Sequence, residues 1–77
     1  TLASVFADPP SPGLPWRAVE SLFGALGAEL KEGRGSRLRV SLNGVRAVFH
    51  RPHPEPTSDR GAIRSVRAFL IAAGVEP

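Results

Sequence analysis

A chain of 77 residues with 10 basic and 7 acidic side chains, formal charge +3, is the size of one domain. It holds no cysteine, which excludes disulfides and a thiolate zinc site and leaves the redox compartment open. No apolar run reaches membrane-spanning length and nothing reads as the apolar core of a signal peptide, so no membrane partner is expected.

Residues 1–7, TLASVFA, can form a short helix with Leu2, Val5 and Phe6 on one face. DPPSPG (8–13) ends it, because prolines lack the N–H that a helix needs. Residues 1–13 therefore read as an N-terminal arm or short helix with a proline-rich linker, and 14–77 as the domain. In LPWRAVESLFGALG, Trp16, Val19, Leu22, Phe23 and Leu26 recur at three- and four-residue steps, the mark of one helical face. Pro15 suits the first turn and Gly27 the position just past the end. Ala28–Glu32 reads as a short extended segment, followed by the polar turn GRGS (33–36).

SRLRVSLNGVRAVFH (36–50) is the most informative stretch. Asn43-Gly44 signals a two-residue hairpin turn, since both residues tolerate positive φ. That turn sets Leu42 opposite Val45, Ser41 opposite Arg46, Val40 opposite Ala47, Arg39 opposite Val48, Leu38 opposite Phe49 and Arg37 opposite His50. Side chains alternate across a sheet, so Leu38, Val40, Leu42, Val45, Ala47 and Phe49 share an apolar face. Arg37, Arg39, Ser41, Arg46, Val48 and His50 share the other. RPHPEPTS (51–58) reads as a proline-punctuated loop, with Ser58 or Asp59 available to cap a final helix. That helix carries Ile63, Val66, Phe69, Leu70 and Ala73 on one stripe, with Arg60, Arg64 and Arg67 on its flank or back, and Gly74 stops it.

The order α–β–β–β–α, with or without the additional N-terminal helix, predicts a two-layer α+β domain. Two amphipathic helices cover the apolar face of a three-stranded antiparallel sheet. The uncovered face then gathers three arginines and a histidine. Nine of the ten basic residues are arginine, which forks onto phosphate with two hydrogen bonds. An arginine bias also arises from GC-rich coding, so the clustering matters more than the count. An open basic sheet suits a phosphate backbone. The plainer alternative is a solvated strand face whose arginines discourage aggregation. Stacking of single-stranded bases has little support: the one Trp and four Phe all fit apolar faces.

His50 is the candidate chemical group, because histidine exchanges protons near neutrality. A facing Arg37 discourages a second positive charge and leaves the imidazole available as a base. These parts suit ribonuclease chemistry: a base takes the ribose 2′-OH proton, the oxygen attacks phosphorus, and arginine steadies the negative charge. The scheme requires no metal and no cofactor. The plainer reading is that His50 ends a strand. His53 spaces with it as H-x-x-H, but no third His or Cys completes a metal site. GRGS lacks the Lys-Ser/Thr of a phosphate loop, though its glycines can approach a backbone.

Four segments together resemble the HicA family, the toxin half of HicBA toxin–antitoxin modules. They are W-x-x-V-E-x-L-x-x-x-L-G-A (Trp16–Ala28), the Gly35-Ser36 turn, R-A-V-F-H-R-P-H-P (Arg46–Pro54) and S-V-R-x-F-L-x-x-A-G-V (Ser65–Val75). The V-F-H-R-P-H-P run is similar to one subgroup of that family. The resemblance implies a double-stranded-RNA-binding-domain-like fold, cleavage of mRNA, and a HicB-type antitoxin partner that covers the active face. It also implies a catalytic histidine just after the Gly-Ser turn, where this sequence has Arg37. Two outcomes stay open. His50, opposite Arg37, takes the proton-transfer role, or the chain binds RNA or its antitoxin without cutting. The first assigns catalysis to His50 and Arg37, and RNA contact to Ser36, Arg39, Arg46, Arg51 and His53.

Overall fold

The computed structural model describes residues 2–7, 13–51, 57–58 and 60–76. Its elements are α1 (Leu2–Phe6), β1 (Leu14–Pro15), α2 (Trp16–Ala25), β2 (Glu29–Glu32), β3 (Arg37–Leu42), β4 (Val45–His50), β5 (Thr57–Ser58) and α3 (Arg60–Ala72). The main sheet has three antiparallel strands in the order β2-β3-β4. This is the expected α–β–β–β–α core with a short helix before it, a double-stranded-RNA-binding-domain-like α+β fold.

The hairpin has the register that its turn dictates. All six pairs, from Leu42 with Val45 to Arg37 with His50, stand as expected. Asn43 and Gly44 take φ values of 51° and 82°, so both lie in the left-handed region that the turn demands. Asn43 also donates from Nδ2 to the carbonyl oxygen of Ala73 at 2.8 Å. The last carbonyls of a helix have no partner within it. Here one of them is met by the residue that turns the hairpin, tying the sheet to the end of α3.

The core lies between the sheet and the two long helices. Trp16, Val19 and Phe23 from α2 meet Leu38, Val40, Leu42 and Phe49 from the sheet and Ile63, Val66, Phe69 and Leu70 from α3, all buried. Phe49 is the aromatic hub. Its ring centroid lies 5.6 Å from Phe23, 5.7 Å from Phe69 and 6.0 Å from Trp16. These separations fall in the range where offset and edge-on aromatic pairs add to simple burial.

Two features differ from the sequence expectation. Pro15 stands before the helix, not in its first turn: it is the extended cap residue (φ −60°, ψ 132°), and α2 begins at Trp16. Leu14 and Pro15 instead pair with Ser58 and Thr57 in a second, two-stranded sheet. Two residues are too few to show the alternation by which a strand is read from sequence.

The N-terminal helix docks on α3, and Val5 is fully buried. Arg67 secures it, donating from Nε to the carbonyl oxygen of Val5 at 3.1 Å and from Nη2 to that of Ala7. A helix of five residues has too few internal hydrogen bonds to stand alone. Arg67 supplies partners for carbonyls that its end leaves open. The prolines at positions 9, 10 and 12, the loop 52–56 with His53, Asp59 and the side chain of Ser58 lie outside the described residues.

Asn43 thus makes a turn and a tertiary hydrogen bond. Asn43→Gly keeps the turn geometry and loses only the bond, a cost of about 1 kcal/mol. Asn43→Ala also forces a side chain without local hydrogen bonding into the left-handed region, bringing the loss to about 2 kcal/mol. Urea unfolding midpoints should rank wild type above the glycine variant and the glycine variant above alanine.

Candidate nucleic-acid interface

Strand parity builds the open face in rows. Glu29, Ser41 and Arg46 align across β2, β3 and β4; Lys31, Arg39 and Val48 form the next row; Arg37 and His50 form the last. A shallow depression of about 510 Å³ crosses the first two rows, lined by Glu29, Lys31, Arg39, Ser41, Arg46 and Val48. Lys31 and Glu29 join a face that the sequence reading assigned to the hairpin alone. The signal was the alternation in ELKE once its pairing with β3 is known.

Arg37, Arg39, Arg46 and His50 are all exposed. Their side chains make no hydrogen bond or ion pair among the described residues. Among the described residues, four cations, Lys31 and the three arginines, therefore share the open face with one carboxylate, Glu29. Such a surface attracts polyanions at a distance and leaves its guanidinium donors unspent.

Arg37 and His50 stand closer than pairing alone implies. The Arg51 N–H donates to the carbonyl oxygen of Ser36 at 2.8 Å, so residues 36 and 51 are a hydrogen-bonded pair. Antiparallel pairs alternate, which makes 37 and 50 a non-hydrogen-bonded pair, the kind whose side chains approach most closely. The turn before β3 holds this end. Gly33 donates its N–H to the Arg37 carbonyl oxygen at 2.9 Å, and a β-carbon on Gly33 would stand 3.0 Å from that of Arg37. Ser36 is exposed in the turn just before β3, opposite Arg51.

Arg51 is placed differently. It has the parity of Phe49, and its fork is spent on the helix side. Nε and Nη2 donate to the two oxygens of Glu20 at 2.9 and 3.0 Å, and Nη1 and Nη2 donate to the two oxygens of Glu32. Four of its five N–H donors are used. The clasp joins α2, β2 and the end of β4, and sequence reasoning missed it because its members are 31 and 19 positions apart. Hydrogen bonding to Arg51 lowers the Glu32 pKa below its ordinary 4.5, and the two carboxylates raise that of Arg51. Arg51 thus lies on the helix side and is not gathered with the open face, while His53 lies outside the described residues.

Among the described residues, no group of three or more His, Cys, Asp or Glu side chains is placed to hold a metal ion, and no helix is long and apolar enough to cross a membrane.

A family model described as HicA toxin of bacterial toxin–antitoxin matches residues 16–75. That is most of the chain, from the first turn of α2 to just past α3, and the chain belongs to the HicA toxin family. Membership brings a toxin role and an antitoxin as partner. Searches of curated proteins and of solved structures found no match.

The lowered Glu32 pKa has a readable consequence. A carboxylate held below its unfolded value stabilises the fold above the unfolded pKa, and the benefit fades as pH falls through the folded one. The gap in urea midpoint between wild type and Glu32→Gln should therefore be widest near neutral pH. It should close on acidification below about pH 4.5. A gap unchanged down to the onset of acid unfolding would mean that the ion pair is not what Glu32 contributes.

Proposed function

We propose that this chain is an endoribonuclease toxin that cleaves mRNA without a metal, with His50 moving the proton and Arg37 steadying the charge. The supporting observation is the pair itself: an imidazole and a guanidinium face to face across two strands, both exposed and unengaged, on the basic side of the sheet. His50 as base takes the proton from a ribose 2′-OH. The freed oxygen attacks the adjacent phosphorus and the P–O5′ bond breaks, the departing 5′ oxygen taking a proton from water, which leaves a 2′,3′-cyclic phosphate and a 5′-hydroxyl end. Arg37 donates to the non-bridging oxygens as their charge grows, which needs no rearrangement at the moment of reaction. Arg39 and Arg46, one and two rows away, hold neighbouring phosphates. Ser36, exposed in the turn before β3, and His53 are carried into this set from the sequence reading. Arg51 is omitted from this set because its donors are engaged on the other face. With mRNA as substrate, the site of action is the cytoplasm.

A second reading has its own support. Arg37 stands where the family resemblance implies the catalytic histidine, so a chain that binds RNA or its antitoxin and does not cut would have the same face.

Incubating RNA with the purified chain in EDTA separates the two. Cleavage to 2′,3′-cyclic phosphate ends is expected, falling about 100-fold or more in His50→Ala while RNA affinity stays near wild type. Intact RNA at every protein concentration would overturn the catalytic reading and leave binding. Arg46→Ala should weaken RNA binding and reduce the slope of log affinity against log salt by about 0.7, as expected for one lost contact to a single strand. An unchanged slope would remove Arg46 from the phosphate contacts.

A further inference from the structure

The outer edge of β4 remains after the face is accounted for. β4 pairs with β3 on one side and ends the sheet on the other. The bond from Arg51 N–H to the Ser36 carbonyl fixes which residues point which way. Val45, Ala47, Phe49 and Arg51 exchange backbone bonds with β3, so the N–H and C=O groups of Arg46, Val48 and His50 point outward. None of these backbone groups has a partner among the described residues. Unpaired edges of this kind invite a further strand unless a proline, a bulge or a covering element blocks them. Arg46–His50 contains no proline, and β4 pairs with β3 residue for residue without a bulge.

The space beside the edge is shaped for a strand. A groove runs between β4 and α3, lined by Trp16, Phe49, Ala62, Ser65, Ala68 and Phe69. The helix presents small residues there at positions 62, 65 and 68, about one turn apart. The indole Nε1 of Trp16 is buried at this groove with no hydrogen-bond partner among the described residues, a donor of a kind that folded proteins seldom leave unmet.

We propose that the outer edge of β4 receives an extended acidic segment of a partner protein as a fourth strand, with the pattern acid–apolar–apolar–apolar–acid. The pattern follows from parity. Residues of the added strand opposite Arg46, Val48 and His50 share the open face, so acids meet Arg46 and His50 and an apolar residue meets Val48, which is 54% exposed. The two intervening residues point into the groove over Ala62, Ser65 and Ala68. A second copy of this chain is the poorer occupant. Antiparallel pairing about Val48 would set Arg46 against His50 of the other copy and join two basic faces. Backbone pairing supplies affinity in this mode of recognition, and alternate side chains supply specificity.

The test uses the full chain and the acetylated, amidated heptapeptide Ser-Glu-Val-Val-Val-Glu-Ser. Trp16, the sole tryptophan, reports from the groove by its fluorescence, and NMR hydrogen exchange reports each amide. The expected result is saturable binding with slowed exchange at the amides of 46, 48 and 50 and a changed Trp16 emission. The peptide with Lys in place of Glu should bind about tenfold or more weakly. Val48→Pro should also weaken binding about tenfold or more, because it removes an outward N–H without touching the bonds to β3. Should that variant fail to fold, N-methylation of Val48 by chemical synthesis removes the same donor, and the wild-type exchange pattern needs no variant. Three results would overturn the proposal: binding that leaves exchange at 46, 48 and 50 unchanged, equal affinity for the Lys peptide, or no binding up to the solubility limit. Protection of the same amides by self-association without peptide would instead assign the edge to a second copy, and also overturns it. RNA cleavage is measured separately on the same samples, so an inactive chain that still takes the peptide leaves this inference standing and removes only the catalytic one.

Discussion

With Asn43 and Gly44 both at positive φ, the hairpin has one register open to it, and the two sides of the domain follow from that register. A slip of one residue would carry Leu38, Val40, Leu42 and Phe49 into water and bring Arg37, Arg39 and His50 against α2 and α3. Burying even one unpaired arginine costs several kcal/mol on the scale of about 5–15 kcal/mol that holds a domain together. The aromatic hub at Phe49 therefore depends on the turn as much as on its own packing. The bond from Asn43 to the end of α3 couples this local decision to the helix that closes the core.

The same parity gives the arginines different work. Arg46 and Arg51 are five positions apart along one extended run, an odd number, so they leave the strand on opposite sides. Arg46 stays free on the open face, while Arg51 is clasped by Glu20 and Glu32 behind the sheet. Arg67 serves a third purpose, meeting the carbonyls at the end of α1. Two of the nine arginines are thus engaged by the fold, while three others gather with Lys31 on one surface. A phosphate backbone responds to that local arrangement, not to the net charge.

Features governed by short-range periodicity were legible in the sequence. The two long helices, the hairpin, its register and the identity of the open face all follow from apolar spacing and one dipeptide. What escaped was set by contacts between distant positions. Nothing near Arg51 in sequence announces Glu20 or Glu32, and nothing near Arg67 announces the carbonyls of Val5 and Ala7. The pairing of Leu14-Pro15 with Thr57-Ser58 is too short to carry a period. For the site, proximity of Arg37 and His50 could be read from the turn. The partition of arginines between the open face and the fold could not, because Arg51 sits next to His50 in sequence while its partners lie on two other elements.

Face and edge share three residues, and this has a consequence for how they work together. The side chains of Arg46, Val48 and His50 belong to the basic surface, while their backbone groups form the free edge of β4. An added strand with acids opposite Arg46 and His50 would neutralise the end of the face where His50 meets Arg37. It would also extend a wall of negative charge beside the path of a phosphate backbone. RNA on the face and an acidic strand on the edge would then oppose each other even without overlapping atoms, because each changes the charge that the other meets. Such opposition is reciprocal by thermodynamic necessity: whatever factor the strand takes from RNA affinity, RNA takes from the strand. If RNA takes the face and an acidic strand the edge, a last strand that offers its side chains to one ligand and its backbone to the other would couple the two without any change of shape.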